Sequence, residues 1–136
     1  MRILITLLFI SFGSFAQEDI ERYKLYPTEN INIHLKLDTK KGNVYIVQRT
    51  NDAPSREVLI NVLDILMLYS NEYIKKVEEG EIEHKEVIGR YKLYPTPNIY
   101  HFLMQDVIQG RTFQVIWSFD EEKRVIAPID KRAPYF

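Results

Sequence analysis

Cysteine is absent from the sequence, and this absence excludes several kinds of chemistry at once. The protein forms no disulfide and has no thiolate metal ligand or thiol nucleophile, because each of these requires a cysteine sulfur. Small exported domains often depend on disulfides for their stability. If this chain is exported, its hydrophobic core has to hold the fold together without them.

An excess of charge of one sign is also missing, since 18 Lys and Arg residues face 19 Asp and Glu residues, a formal net charge of −1. Proteins that bind nucleic acids or anionic membranes electrostatically carry a basic excess, so we predict neither partner. Hydrophobic residues make up 46% of the chain and charged residues 27%, as in ordinary globular proteins. A length of 136 residues predicts a single domain.

Residues typical of metal, phosphate and nucleophile sites are few and scattered. The three histidines are His34, His84 and His101, and no two of them have the spacing of metal ligands on one helix. The five glycines are isolated, so no phosphate-binding loop is predicted, and no Gly-x-Ser-x-Gly motif occurs. We predict no metal, no cofactor and no catalytic residue, although a Ser-His-Asp triad assembled in space stays open because triads are recognised by geometry.

No apolar run reaches the roughly twenty residues that span a bilayer. Residues 3–12 form a shorter apolar stretch, which follows Arg2 and precedes Ser14 and Ala16. A positive residue, about ten apolar residues and small residues at positions −3 and −1 are typical of a secretory signal peptide. We therefore predict a signal peptide over residues 1–16, a periplasmic or secreted domain over residues 17–136, and no stable membrane anchor.

The clearest feature inside the domain is an internal repeat. Residues 22–28 read Arg-Tyr-Lys-Leu-Tyr-Pro-Thr, and the same seven residues recur at 90–96, an offset of 68. Seven consecutive identities in so short a chain indicate a duplication. We predict repeat 1 over about residues 20–61, a helix with its connector over about 62–88, and repeat 2 over about 89–130.

Each repeat contains the pattern of a β-hairpin. Apolar and polar residues alternate from residue 31 to residue 37, which is the period of a half-buried strand. Asp38 and Gly42 then bracket a turn, as Asp106 and Gly110 do in repeat 2. An Asp side chain accepts hydrogen bonds from nearby backbone amides and Gly tolerates a positive φ, so both pairs are interpreted as structural turn residues.

The turn also predicts a strand register. Pairing the first and last turn residues sets Leu35 opposite Tyr45 in repeat 1 and Leu103 opposite Phe113 in repeat 2, with His101 facing inward. We prefer this register to a one-residue slip because it places the recurring apolar residues on one face. It leaves a second apolar face in repeat 2, so this hairpin is predicted to be covered on both sides.

One helix is predicted between the repeats, over residues 62–79, and it supplies the cover for the second hairpin. Apolar residues at spacings of three and four form one stripe of this helix. The stripe consists of Val62, Leu66, Tyr69, Tyr73 and Val77. The predicted fold class is α+β, mainly antiparallel β, with two pseudo-symmetric β repeats and one intervening helix.

The segment Arg-Tyr-Lys-Leu-Tyr-Pro-Thr-x-Asn, followed by a Leu-x-x-Asp-x-x-x-Gly hairpin, resembles tandem repeats of small exported bacterial proteins that have no assigned activity. In those proteins the hairpin tends to read Phe-Leu-x-Leu-Asp-Thr-x-x-Gly-x-x-Trp-x-Val-Gln. Repeat 1 departs from this pattern at His34 and Tyr45, and repeat 2 departs at Gln105, Phe113 and Ile116. The resemblance covers most of the chain outside the helix and implies a shared fold without implying an activity.

The repeated motif also suggests a binding surface for a protein or glycan partner. Its candidate residues are Arg22, Tyr23 and Tyr26 in repeat 1, and Arg90, Tyr91 and Tyr94 in repeat 2. Tyr and Arg are enriched at protein interfaces. Residues three apart in a strand point to opposite faces, so one tyrosine of each pair is expected to pack inward and the other to meet the partner. The alternative is a structural corner, in which Pro fixes φ and Thr and Asn bond the backbone.

These patterns favour a non-catalytic exported binding or interaction module over an enzyme. The alternative is an inhibitor of an extracellular enzyme that uses an exposed loop such as residues 95–98. A glycan-acting hydrolase comes third, because two facing carboxylates such as Asp38 and Asp106 would suit it, but both stand where a turn needs Asp. No oligomeric state is predicted.

Overall fold

The computed structural model of the protein describes residues 21–61 and 64–129, and the predicted signal peptide lies outside them. The strands are β1 (Tyr23–Pro27), β2 (Ile33–Asp38), β3 (Val44–Gln48), β4 (Arg56–Leu59), β5 (Tyr91–Pro95), β6 (His101–Asp106), β7 (Thr112–Ile116) and β8 (Val125–Pro128). They form two antiparallel sheets, with strand orders β1-β2-β3-β4 (sheet 1) and β5-β6-β7-β8 (sheet 2). Helix α1 (Asn71–Glu78) lies between them in the chain, so the predicted fold class is confirmed.

The two repeats share one backbone arrangement, as the duplication predicts. Tyr23 pairs with Asp38 in sheet 1, and Tyr91 pairs with Asp106 in sheet 2. Gly42 and Gly110 both have a positive φ, of 79° and 67°. The repeats differ after the third strand, where the 3-10 turn Glu121–Lys123 of repeat 2 has no counterpart among the described elements of repeat 1.

The predicted hairpin register is wrong by one residue in both repeats. Leu35 lies opposite Ile46 instead of Tyr45, and Leu103 lies opposite Gln114 instead of Phe113. The turn is one residue longer than predicted, because the Asp38 amide donates to the Asn43 carbonyl at 2.9 Å. The Asp38 carboxylate accepts hydrogen bonds from the next turn amides, at residues 40 and 41, which stabilises this four-residue loop.

The register decides which residues of repeat 2 are buried. Phe102 and Met104 face the core beside Phe113, whereas His101 and Leu103 are exposed. The predictions that His101 faces inward and that the second hairpin is covered on both sides are therefore wrong. A one-residue change in pairing exchanges the two faces of a strand, and both faces of this strand carry large apolar side chains.

The segment between the repeats is less regular than its apolar stripe predicts. A 3-10 turn, Ile65–Leu68, precedes α1, and the chain is extended at Ser70 between them. The Ser70 hydroxyl accepts a hydrogen bond from the Tyr73 amide at 3.2 Å, which is the bonding of a helix N-cap. Leu66, Tyr69 and Tyr73 still pack against the core despite this break. No helix within residues 21–61 and 64–129 is long and apolar enough to cross a membrane.

The two repeats pack through faces that are not equivalent. The buried face of sheet 1 carries Ile33, Leu35, Leu37, Val44 and Ile46. The buried face of sheet 2 carries Tyr91, Leu93, Phe102, Met104, Phe113 and Val115, and both sets belong to one hydrophobic core. By the 68-residue offset, this second set corresponds to the side of sheet 1 that points away from the core.

We call that side the outer face of sheet 1. It carries Tyr23, Leu25, His34, Lys36, Tyr45, Val47, Glu57 and Leu59. The repeats are thus stacked front to back, and no two-fold axis relates them.

We predict that Gly42→Ala destabilises the protein more than Gly110→Ala does. At a positive φ an L side chain costs about 1–2 kcal/mol, and this is the expected loss for Gly110→Ala. A Cβ at Gly42 would in addition lie 3.3 Å from side-chain atoms of Ile65 and Tyr91, whereas one at Gly110 has no heavy atom within 4 Å. Urea denaturation measures both losses. Gly80→Ala, with a φ of 73° and open surroundings, is the control, and equal losses at all three positions would contradict the prediction.

Candidate functional site

Among the residues that the structure describes, the polar group with the most hydrogen bonds is an ion pair inside repeat 2. The Arg90 guanidinium donates two hydrogen bonds to the Asp106 carboxylate, at 3.1 and 2.7 Å. Both side chains are almost fully buried. The same carboxylate accepts hydrogen bonds from the turn amides of Ile108 and Gln109, at 2.9 and 3.2 Å. This pair therefore fixes the start of β5 to the turn of the second hairpin.

Tyr69 connects this ion pair to the segment between the repeats. Its hydroxyl donates to the Asp106 carboxylate and lies 3.1 Å from the Tyr91 hydroxyl. Burial would raise the pKa of Asp106, but the hydrogen bonds from Arg90, Tyr69 and the turn amides outweigh burial and lower it. The pKa of Tyr69 is raised by burial and by its bond to Asp106. Burial raises the pKa of Tyr91 to about 12.

His84 completes this buried cluster. Its Nδ1 lies 2.9 Å from the Tyr73 hydroxyl and its Nε2 lies 3.4 Å from the Tyr91 hydroxyl. Burial and the nearby charge of Arg90 lower the pKa of His84. The sequence pattern predicted Tyr69 and Tyr73 as apolar-stripe residues of the intervening helix and assigned no role to His84. It did not predict the polar cluster, because none of the three residues is repeated and nothing in their local sequence indicates that they meet.

The equivalent pair of repeat 1 is more exposed. Arg22 donates to Asp38 at 3.3 Å, but the Arg22 side chain is 38% exposed. The hydrogen bond to Asp38 raises the pKa of Arg22. In both repeats the arginine precedes its aspartate by 16 residues. That repeated spacing is a signal from which the pairing was predictable.

The structure separates the six candidate binding residues into buried and exposed groups. Arg90 and Tyr91 are buried, so neither presents a surface to a partner. Tyr23 and Tyr94 are 48% and 45% exposed. Tyr26 is half-buried, and its hydroxyl lies 3.4 Å from the Leu93 amide. Each repeat thus exposes one tyrosine of its pair, but the exposed tyrosines are not equivalent ones.

The Pro-Thr segments are structural corners. The Thr28 hydroxyl donates to the Ile33 carbonyl at 2.8 Å and accepts from the Asn30 amide at 3.2 Å. The equivalent bonds of Thr96 have the same lengths. The two corners lie side by side and line a cleft of about 250 Å³.

The outer face of sheet 1 combines apolar exposure with an aromatic and charged centre. Tyr23 and Leu25 are 48% and 58% exposed, and Leu59 is 43% exposed. The Lys36 ammonium lies 4.7 Å from the centre of the Tyr45 ring and 5.5 Å from that of Tyr23, and it forms an ion pair with Glu57. Cation–π contacts of this kind hold the lysine between the two rings.

The chemistry of these two regions differs. The cluster around Asp106 is buried and its carboxylate is fully occupied by protein donors, so it is a structural group. The outer face of sheet 1 is open and contains the kinds of residue that interfaces use. Within the described residues, no group of three or more His, Asp or Glu side chains is placed to hold a metal ion. Comparison with protein-family models, curated proteins and solved structures found no match to the chain.

We predict that Asp106→Asn costs about 3–5 kcal/mol of stability, because it leaves the Arg90 charge buried without its partner. Asp38→Asn, the equivalent change, should cost clearly less, since the Arg22 side chain is 38% exposed and solvent stabilises its charge when the partner is removed. Urea denaturation of both variants measures the difference. Similar losses at the two positions would show that burial of the pair is not what sets its importance.

The Asp106 carboxylate also predicts a dependence on acid. Its contribution is complete above the unfolded-state pKa of about 3.9 and is lost as the pH falls through the lower folded-state pKa. The stability of the wild-type protein should therefore fall in this acid range, and Asp106→Asn should flatten this part of the curve.

We also predict a loss of stability near the ordinary histidine pKa of about 6.5. Because the pKa of His84 is lowered on folding, the unfolded chain takes up the proton first as the pH falls. The unfolding free energy should then decrease below that pH, and His84→Gln should remove the decrease. His101→Gln, at an exposed histidine, is the control and should retain it.

Proposed function

We propose that the protein is a non-catalytic, exported binding module, and that the outer face of sheet 1 is its contact surface for another protein. The observation that carries this proposal is the exposure of Tyr23, Leu25 and Leu59 on a face whose equivalent in sheet 2 is buried. Within this chain, that equivalent face is covered by the apolar face of another β-sheet. A protein surface of similar apolar character is therefore the partner that fits it.

The composition of the face supports a protein partner over a glycan. Apolar side chains surround an ion pair whose lysine is held by two aromatic rings. Interfaces between proteins typically combine an apolar, tyrosine-containing centre with polar groups that retain partial solvation. The face belongs to a regular sheet, which gives it a defined shape before binding and limits the entropy lost on association.

Export is the second part of the proposal. It is supported by the arginine, the apolar stretch and the small residues of the predicted signal peptide, and by the resemblance to exported proteins with tandem repeats of this kind. An exported domain without cysteine needs a core that is stable by itself. The single core formed by both repeats meets that need.

The two alternatives receive different support. Asp38 and Asp106 are each held by an arginine and by turn amides, which leaves no observation in favour of a glycan hydrolase. The inhibitor alternative keeps one supporting observation, because the loop of residues 95–98 is largely exposed and is held by the Thr96 hydroxyl. It is the second candidate function.

Site-specific photo-crosslinking in the host organism tests the proposal. Benzoylphenylalanine at Leu25, in the outer face of sheet 1, should give a discrete adduct with another protein. The same probe at Gln114, which is exposed on sheet 2, is the matched control and should give none. Adding Tyr45→Ala to the Leu25 probe should reduce the adduct, because it removes one side of the aromatic centre.

Each other outcome counts against the proposal. An adduct that resists protease and is removed by glycosidases identifies a glycan partner. A probe at Asn98 that gives the only adduct supports the inhibitor alternative. Equal yields at Leu25 and Gln114 would show that the outer face of sheet 1 has no specific partner.

A further inference from the structure

We infer that His34, Lys36 and Glu57 prevent a second copy of the chain from binding to the outer face of sheet 1. With apolar residues at these positions, the packing seen between the repeats would extend to a second copy. Self-association through this face is independent of the proposed partner. It depends on how the two sheets are stacked and on which residues differ between equivalent positions.

The packing of sheet 2 on sheet 1 uses a geometry that can be repeated from one molecule to the next. The buried face of sheet 2 is the equivalent of the outer face of sheet 1, and it packs in one core with the opposite face of sheet 1. Contacts between non-equivalent faces do not close on themselves, so repeating them generates open chains of molecules. In such a chain the outer face of sheet 1 would lie on the exposed side of sheet 2 of the next copy.

Backbone contacts between the repeats show that the stacking is specific. The Tyr91 amide donates to the Thr39 carbonyl at 3.0 Å, and the Gly89 amide donates to the Thr39 hydroxyl at 3.1 Å. The turn of the first hairpin therefore binds the start of the second repeat through these hydrogen bonds. The equivalent turn residue of repeat 2 is Val107, which is exposed and has no hydroxyl.

At three positions, an apolar residue of the covered face corresponds to a histidine or a charged residue of the open face. Sheet 2 places Phe102, Met104 and Ile126 in its buried face. The equivalent positions of sheet 1 are His34, Lys36 and Glu57, as the offset and the strand pairing with Val47 and Val115 show. Burial of an ammonium and a carboxylate is strongly unfavourable unless their hydrogen bonds to water are fully replaced.

Lys36 is the central one of the three residues that prevent a second copy from binding to this face. Its ammonium is bonded to Glu57 and lies near the Tyr23 and Tyr45 rings, so the charge is already satisfied on the open face. A second copy covering the face would remove water from this arrangement without offering a carboxylate in exchange, because the paired strand positions on the exposed side of sheet 2 include Lys92, Gln105 and Gln114 but no Asp or Glu. Terminal repeats of stacked proteins require such polar outer faces to stay soluble.

The opposite end of the stack shows the same kind of change. The exposed side of sheet 2 keeps Leu103 where sheet 1 has buried Leu35. It has Gln105 and Gln114 where sheet 1 has buried Leu37 and Ile46. Both ends therefore carry polar residues at positions that are apolar inside the stack.

The inference is tested by substituting residues of the buried face of sheet 2 at the equivalent positions of the outer face of sheet 1. The triple variant His34→Phe/Lys36→Met/Glu57→Ile should self-associate in sedimentation equilibrium, while the wild-type protein stays monomeric at the same concentrations. The single variant Lys36→Met keeps most of the face unchanged. It should already strengthen self-association by about tenfold, equivalent to about 1.4 kcal/mol.

Two controls distinguish specific stacking from non-specific hydrophobic association. Asn71→Phe/Lys75→Met/Glu79→Ile introduces the same apolar residues at exposed positions of α1 and at the residue that follows it, where Lys75 and Glu79 form an ion pair. It should not reproduce the association. Leu103→Lys, on the exposed side of sheet 2, should return the triple variant to monomers because it charges the face on which the next copy would lie. Monomeric Lys36→Met and triple variants, or an association that Leu103→Lys leaves unchanged, would overturn the inference.

Discussion

The buried ion pair between Arg90 and Asp106 is the interaction on which the rest of the structure depends. It joins the start of β5, the turn of the second hairpin and, through Tyr69, the segment between the repeats. A buried charge pair contributes little compared with an apolar core of the same shape, but removal of one partner is strongly destabilising. The pair therefore acts as a constraint: the second repeat folds with these three segments together or leaves a charge without its partner.

Because the sheets stack front to back, the same motif is exposed in repeat 1 and buried in repeat 2. Arg22 and Asp38 make the same pair at the same spacing, but solvent reaches Arg22 and no tyrosine is bonded to Asp38 in the described residues. Tyr91 is buried against the turn of the first hairpin, whereas Tyr23 is exposed. Front-to-back packing requires this asymmetry, because one copy of each equivalent face is covered and the other is not. Identical residues therefore belong to the core in one repeat and to the surface in the other.

The same asymmetry connects the fold to the proposed function. The chain stabilises itself without disulfides by sharing one core between its repeats, and this leaves an ordered sheet face open at one end. That face retains apolar and aromatic residues, while Lys36 and Glu57 supply charge at its centre. An apolar surface with a charged centre is selective, because a partner has to match both its shape and the ion pair.

The sequence by itself determined the elements that depend on local chemistry. The duplication, the alternating strands, the turns at Asp38 and Gly42 and the absence of thiol chemistry all follow from residue identity and spacing. The tertiary structure decided the register, because a turn longer by one residue exchanges the faces of strands that are apolar on both sides. It also decided which tyrosine of each pair is buried and brought Tyr69 to Asp106 across 37 residues. Contacts over such a distance depend on how the sheets stack, and neither local propensity nor a repeated motif specifies that stacking.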